Sequence, residues 1–290
     1  MLGEVILGTA LALGAYLLYK YENNTIEKAE YIVENLKIPK EFSDFKIVQI
    51  SDLHNKSFGK NNKNLIKVID ELSPNIVVIT GDLIEGSSNN FDISLNFVND
   101  ISKKYDVYYI IGNHEQKASI KKYKDIYEEY LKKVSNTKAK ILDNKYVRLK
   151  IKDSYINLYG FTVPFECYTY MLSKHEKRYI DKYYMDETLG NINNLEYNIL
   201  LAHNPFFFEE YSKWGADLVM AGHVHGGIVR IPKLGGLLSP NREFFPEYDL
   251  GKYTINNSDM ILSKGLGGSK ILSRINCRPE IIKITLKCKI

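Results

Sequence analysis

Five short polar segments of this chain combine imidazole with hard oxygen donors: Ser51-Asp52-Leu53-His54, Gly81-Asp82, Gly112-Asn113-His114-Glu115, Ala202-His203-Asn204 and Gly222-His223-Val224-His225. They hold five of the six histidines in the sequence, and only His175 stands elsewhere. A lone histidine is usually a satisfied core or surface residue, but the same ligand types at five separate places suit a metal centre. Imidazole, carboxylate and amide oxygen without thiolate favour manganese, iron, zinc or cobalt in a reactive site over a structural zinc. The candidate ligands are Asp52, His54, Asp82, Asn113, His203, His223 and His225, too many for one four-coordinate ion. They suit a pair of ions about 3.5 to 4 Å apart that share one carboxylate. Asp82, which follows a central apolar run, is the natural bridge.

Each of the five segments follows a short apolar run: Phe45 to Ile50, Ile76 to Thr80, Val107 to Ile111, Tyr197 to Leu201 and Leu218 to Ala221. Runs this short, apolar on both faces and bounded by turn residues, read as buried strands. Open α/β sheets build their sites at the carboxyl ends of such strands, which is where the ligands fall. Between the first two runs, Leu65, Ile66, Ile69 and Leu72 recur at helical spacing and Pro74 stops the helix, completing a βαβ unit. Ile93, Leu95, Phe97, Val98 and Ile101 suggest a second crossover helix. Tyr146 to Ile151 and Tyr155 to Tyr159 flank Lys152-Asp153-Ser154 as an antiparallel hairpin. Residues 162–194 are polar and irregular and read as an insertion with some helix. Residues 228–287 read as further strands around a Gly/Pro-rich loop.

In this order and at these strand ends, the series D-L-H, G-D, G-N-H-E, H and G-H-V-H resembles the calcineurin-like metallophosphoesterases, with no ligand missing. The motifs cover residues 45–226. The resemblance implies an α/β fold, a four-layer α/β/β/α sandwich of two mixed sheets, here preceded by an N-terminal apolar helix. It implies that Asp52, His54, Asp82 and His225 hold one metal and Asp82, Asn113, His203 and His223 the other, with His114 as a catalytic histidine that is not a ligand. The expected cofactors are two divalent ions, of manganese, iron or zinc. Between two such ions a bridging water becomes hydroxide near neutral pH and attacks phosphorus in line. His114 would protonate the leaving oxygen or donate a hydrogen bond to the charge developing on it. Glu115 could orient His114 or a ligand, or be a solvated turn carboxylate.

Composition sets outer limits. With 39 basic and 35 acidic residues among 290, 44% hydrophobic residues and a mean hydropathy of -0.26, whole-chain disorder and a multi-span membrane protein are both excluded. A net charge of +4 with no basic stripe gives no reason to expect a nucleic-acid partner. Cys167, Cys277 and Cys288 lie far apart with no C-x-x-C spacing, so neither a disulfide framework nor a cysteine zinc site is expected.

Residues 1–22 read as a membrane anchor or signal-like helix, 23–44 as a linker and first strand region, and 45–290 as the phosphoesterase domain. Nineteen helical residues from Met1 to Tyr19 would reach roughly 28 Å against a hydrocarbon core of about 30 Å. No basic n-region precedes the apolar stretch, which favours an uncleaved single-pass anchor. Lys20, Lys28, Lys37 and Lys40 would then leave the domain on the cytoplasmic side. An anchor, together with the apolar runs Pro205-Phe206-Phe207-Phe208 and Leu234-Gly235-Gly236-Leu237-Leu238, would suit a lipid-linked phosphate ester presented at a bilayer. Core packing is the competing explanation of both runs. The expected activity is hydrolysis of a phosphodiester or pyrophosphate bond. The alternatives are a phosphoprotein phosphatase and, in another class, a metal-free membrane-tethered scaffold.

Overall fold

The computed structural model describes residues 2–120, 122–168, 179–240, 244–268 and 273–289. The chain opens with helix α1 (Leu2–Asn24), followed by strands β1 (Glu27–Asn35) and β2 (Lys46–Ile50). Helix α2 (Lys63–Leu72) buries Leu65, Ile69 and Leu72 along one face and ends at Ser73, whose left-handed backbone turns the chain into Pro74. Then come β3 (Ile76–Ile79), α3 (Asp92–Ser102), β4 (Asp106–Tyr109), α4 (Asn113–Ile120), α5 (Lys124–Ser135) and the two-residue β5 (Lys140–Ile141). The mid-chain hairpin forms as β6 (Lys145–Ile151) and β7 (Ser154–Phe161). Helix α6 (Lys182–Leu189) is capped by Asp181, whose side chain accepts from the Tyr184 amide at 2.8 Å. It is the helical part of the 162–194 segment, of which residues 169–178, His175 included, lie outside the described residues. The remainder is β8 (Asn198–Ala202), α7 (Phe208–Trp214), β9 (Leu218–Ala221), the short pair β10 (Arg230–Ile231) and β11 (Gly235–Gly236), β12 (Gly251–Ile255), β13 (Ser258–Leu262) and β14 (Glu280–Cys288).

Two six-stranded mixed sheets result, one in the order β1-β14-β2-β3-β4-β5 and the other β12-β13-β9-β8-β7-β6. Side-chain alternation along each strand separates three apolar clusters. Val48, Ile50, Val77, Ile79 and Val107 face α2, α3 and α5. Their neighbours Ile47, Ile76, Val78 and Tyr108 meet Leu158, Ile199, Leu201, Leu218 and Met220 of the second sheet. The outer face of that sheet packs Tyr159, Phe161, Leu200 and Val219 on Met185 of α6 and Phe208, Tyr211 and Trp214 of α7. The order through the molecule is therefore helix, sheet, sheet, helix.

The edge where the ligands gather is set by strand direction. β2, β3 and β4 are parallel in the first sheet, as are β7, β8 and β9 in the second. The two sets of carboxyl ends meet, since the His223 amide after β9 donates to the Asp52 carboxylate after β2. β14 runs antiparallel to β2 and parallel to β1, with Glu27 opposite Glu280. The start of β1, and with it the last turn of α1, thus arrives at the same edge.

The expected N-terminal helix forms, but a membrane span over residues 1–22 finds no support in it. Among the described residues no helix is long and apolar enough to cross a membrane. Within α1, Gly3, Gly8, Gly14, Thr9 and the tyrosines at 16, 19 and 21 dilute the apolar side chains, and Glu4 and Lys20 bound the uncharged stretch. The lysines read as topological signals also belong in part to the folded body. Lys28 in β1 pairs with Glu71 at 2.5 Å, and Lys37 reaches Asp217 at 2.7 Å.

Candidate metal centre

The backbone of the ligand loops is unusual before any side chain is considered. Asp52, His54, Asp82, His223 and His225 all take positive φ, at 52°, 49°, 53°, 73° and 55°. Left-handed conformations cost residues other than glycine on the order of 1 kcal/mol or more each, and persist only where the surroundings over-determine them. Here neighbouring loops do so. The amides of Asp52 and His54 donate to the carbonyls of Gly81 and Asp82, each at 3.1 Å. At Gly81 a side chain is excluded, because a Cβ would fall 2.8 Å from His203 Nδ1 and 2.9 Å from Gly112 Cα.

These turns point their side chains into one buried cluster. His203 Nε2 lies 3.2 Å from Asp82 Oδ2 and 3.8 Å from Asp52 Oδ1, and His225 Nε2 lies 3.5 Å from Asp52 Oδ1. His54 Nε2 is 3.8 Å from both Asp52 Oδ1 and Asp82 Oδ2. Two sets of three donors that could grip an ion stand side by side: Asp52, His54 and His225, and Asp82, His203 and His223. Asp82 also forms a third such set with His54 and His114, so its carboxylate stands between the two groups. Asn113 begins α4 between Gly112 and His114, whose amide donates to Asp82 Oδ1 at 2.7 Å.

Divalent ions fit this donor set. Nε2 of His54 and Nε2 of His225 face each other at 3.3 Å, close enough to share one cation. Asn113 Oδ1 is buried without a hydrogen-bond partner. Such an orphaned acceptor is costly unless something positive meets it. His203 Nδ1 lies 2.6 Å from the Thr80 carbonyl, which fixes a proton on Nδ1 and turns Nε2 toward the carboxylates of the cluster.

The electrostatics describe the same crowding. Burial, aided by neighbouring imidazoles, holds His54 and His223 neutral with pKa values of about 3, and depresses His225 further below the usual range. Burial raises Asp52 to about 6 even though His203 favours its charge. At His203 burial acts downward, but the carboxylates of Asp82 and Asp52 outweigh it and push the group up to about 10. Three imidazoles thus stand in the neutral form that ligation requires.

His114 stands at the rim. Its ring is 4.5 Å from that of His54, edge to face, and its Nδ1 lies 3.2 Å from Glu85 Oε1 and accepts from the Gly86 amide at 3.1 Å. Glu85 is absent from the sequence-derived site. Its one signal there is its position three residues beyond Asp82, on the same turn. Glu115 proves to be neither a solvated carboxylate nor a partner of His114. It is fully buried, and it accepts from the amides of Asp82 (2.9 Å), Leu83 (2.8 Å), Ile84 (3.3 Å) and Gly112 (3.0 Å) and from the Tyr109 hydroxyl (2.6 Å). It moulds the loop that carries Asp82. The Tyr168 ring stands edge-on to His223 at 5.0 Å, a contact no sequence spacing announces. Of the two apolar runs, Phe208 is core, Phe206 lies 6.5 Å from the His223 ring, and Leu234 is exposed.

Comparison with known proteins gives a consistent assignment. The family model described as calcineurin-like phosphoesterase matches residues 45–227. The chain is 25% identical to the uncharacterized metallophosphoesterase YkuE of Bacillus subtilis, over 99% of this chain and 95% of that one. It is 27% identical to a metallophosphoesterase of Aquifex aeolicus (97% and 98%) and 25% identical to the phosphodiesterase YaeI of Escherichia coli (83% and 82%). Among solved structures, TT1561 of Thermus thermophilus superposes with a TM-score of 0.49 at 12% identity, over 77% of this chain and 91% of that one.

Proposed function

The chain belongs to the calcineurin-like phosphoesterases, and from that premise we propose that it hydrolyses a phosphodiester or pyrophosphate bond with the help of two divalent ions. The observation that carries this reading is the pair of adjacent donor groups with the Asp82 carboxylate between them. Asp52, His54, Asp82 and His225 would hold one ion, and Asp82, Asn113, His203 and His223 the other. Bound there, the ions would supply a water of lowered pKa and positive charge opposite the phosphoryl oxygens. The protein's own groups do the rest. Thr80 locks the His203 tautomer, Glu115 shapes the Asp82 loop, and the His223 amide and the Ser51 hydroxyl orient Asp52.

His114 holds a proton ready for the leaving oxygen. If its Nδ1 accepts from Gly86, the ring hydrogen must sit on Nε2. If the ring is protonated and Nδ1 donates to Glu85, Nε2 again carries one. Asp82 and Glu85 outweigh burial and raise this pKa, which favours the donor form near neutrality. The likeness to the phosphodiesterase YaeI of Escherichia coli supports a diester over a monoester.

A lipid-borne substrate is a second reading, favoured by one observation. The large side chains of α1 are exposed on every side of the helix, Val5, Leu11 and Leu18 each by more than 60%, and α1 ends at the catalytic edge. Large apolar side chains exposed in this way are stable where an apolar surface meets them. Co-flotation of the full chain with phosphatidylglycerol vesicles tests this, and a chain that stays in the aqueous fraction refutes it.

The decisive test of the main reading is metal content and hydrolysis of bis-para-nitrophenyl phosphate by the wild-type chain and Asp82→Asn. About two ions per chain and a turnover that the substitution abolishes are expected. No bound metal and no turnover across manganese, iron and zinc would overturn the reading in favour of a metal-free scaffold.

A further inference from the structure

Arg274 is the largest charged side chain in the interior, only 1% exposed, yet it lies outside every motif. Its guanidinium donates to four main-chain carbonyls: Nε to Gly267 at 2.6 Å, Nη1 to Cys277 at 3.0 Å, and Nη2 to Lys264 at 2.7 Å and Gly265 at 3.2 Å. The strap 264–267 held in this way lies directly on the first ligand loop. The amides of Leu266 and Gly267 donate to the carbonyls of Ser51 and Asp52, at 3.0 and 2.5 Å. A Cβ at Gly265 would fall 2.6 Å from Asp52 Cβ. The neighbouring segment 274–277, which carries the guanidinium, reaches the last ligand loop, where the Cys277 thiol donates to the His225 carbonyl at 3.3 Å.

The segment is clamped from outside by the last turn of α1. Asn23 pairs with the Arg274 main chain in both directions, Oδ1 accepting from the amide at 3.0 Å and Nδ2 donating to the carbonyl at 3.3 Å. The Glu22 carboxylate accepts from the Cys277 amide at 3.2 Å. Lys56, two residues past His54, donates to the Asn23 carbonyl and, at 3.3 Å, to that of Leu266.

We propose that Arg274 and Cys277 are positioning residues for the Asp52, His54 and His225 half of the metal centre, and that Glu22 and Asn23 hold them in place. The assignment rests on the dinuclear reading above and adds that each half has a support of its own beside the hydrogen bonds that join the Asp52 loop to those of Asp82 and His223. Glu115 and Thr80 hold the Asp82 and His203 loops, and Arg274 and Cys277 hold those of Asp52 and His225. Loss of the second support should release one ion and spare the other. A guanidinium can bridge diverging carbonyls and an ammonium at the same place cannot, so Arg274→Lys isolates geometry from charge.

The test is cobalt(II) titration of the full-length chain, followed by visible absorption and metal analysis, with thermal unfolding in parallel. Wild type should take up two ions. Arg274→Lys and Asn23→Ala should keep one and bind the other roughly 10- to 100-fold more weakly, as is usual when groups behind a ligand are lost. Cys277→Ala should weaken the same ion, and Cys277→Ser, which keeps a donor to His225, should restore it. Wild-type affinity for both ions in Arg274→Lys and Cys277→Ala, or equal weakening of both ions in step with the unfolding temperature, overturns the assignment. A wild-type chain that binds fewer than two ions overturns the dinuclear reading and this assignment with it.

Discussion

The two edges of the sandwich both bury polar groups, and they treat them in opposite ways. At the amino ends of β7, β8 and β9, Asp217 accepts from Lys37 at 2.7 Å and from the Asn198 amide at 2.9 Å. Asn198 in turn donates to the carbonyls of Asn193 and Glu196 and accepts from Asn157. Apart from the Asn157 amide oxygen, these side-chain atoms find partners. At the carboxyl ends, four polar atoms of His54, Asn113, His203 and His225 have none, and five of the loop residues are left-handed. One edge closes most of its polar groups among themselves, the Tyr197 hydroxyl excepted, and supports the fold. The other leaves several unpaired and gathers its donor groups where a ligand can meet them. An aspartate is structural or functional here according to whether its partners close the network around it.

The contrast can be broken from either side, and the largest effect belongs to the open edge. His114→Gln should lower kcat by roughly 10²- to 10⁴-fold, with two ions still bound and unfolding unchanged, as steady-state kinetics beside metal analysis would show. A fall in metal content instead would make His114 a ligand. Glu115→Ala strips partners from several buried amides and should cost about 3 to 5 kcal/mol by urea titration, taking metal binding with it. Addition of metal at roughly 100 times its dissociation constant should stabilise by about 2.7 kcal/mol, a rise in Tm of roughly 5 to 10 °C that chelation reverses. Asp217→Ala, at the closed edge, should cost about 1 to 3 kcal/mol and leave turnover per folded molecule unaltered. Smallest of all, Lys28→Ala removes an exposed pair with Glu71 and should change stability by about 1 kcal/mol or less. An Asp217→Ala chain with lost turnover and intact stability would dissolve the distinction between the edges.

The open edge was the more legible of the two in the sequence. Asp52, Asp82, His203 and His223 are unusual residues directly after buried apolar runs, so chemistry and periodicity point to the same places. Strand limits moved by one or two residues: Thr80 lies just beyond β3, and Ile110 and Ile111 lie beyond β4, because the chain must bend there to present its ligands. The roles of Glu85, Arg274 and Cys277 were illegible for a different reason. Each acquires meaning only through a partner distant in the chain or through a turn's exact path, and an isolated arginine or cysteine has no period to betray it. The closed edge was nearly silent, since Asn157, Asn198 and Asp217 resemble surface residues until the sheet is assembled. At α1 composition gave a helix and its limits but not its surroundings, since glycine, threonine and tyrosine thin the apolar content of an uncharged stretch.

The pairing of β1 with β14 bears on the order in which the molecule can be made. Among the described residues β1 is an outer strand whose one neighbour is β14, with Glu27 facing Glu280. Every ligand has left the ribosome once His225 has emerged, yet β1 cannot close until some 55 to 60 further residues follow, at about 5 to 20 residues per second. For those seconds the nascent chain holds all its ligands while α1 has nowhere to dock, and metal captured early would be captured by an unfinished cage. Such a long-range closure makes for slow folding, and pairing of β14 with β1, not synthesis of the ligand residues, marks the point at which α1 can dock.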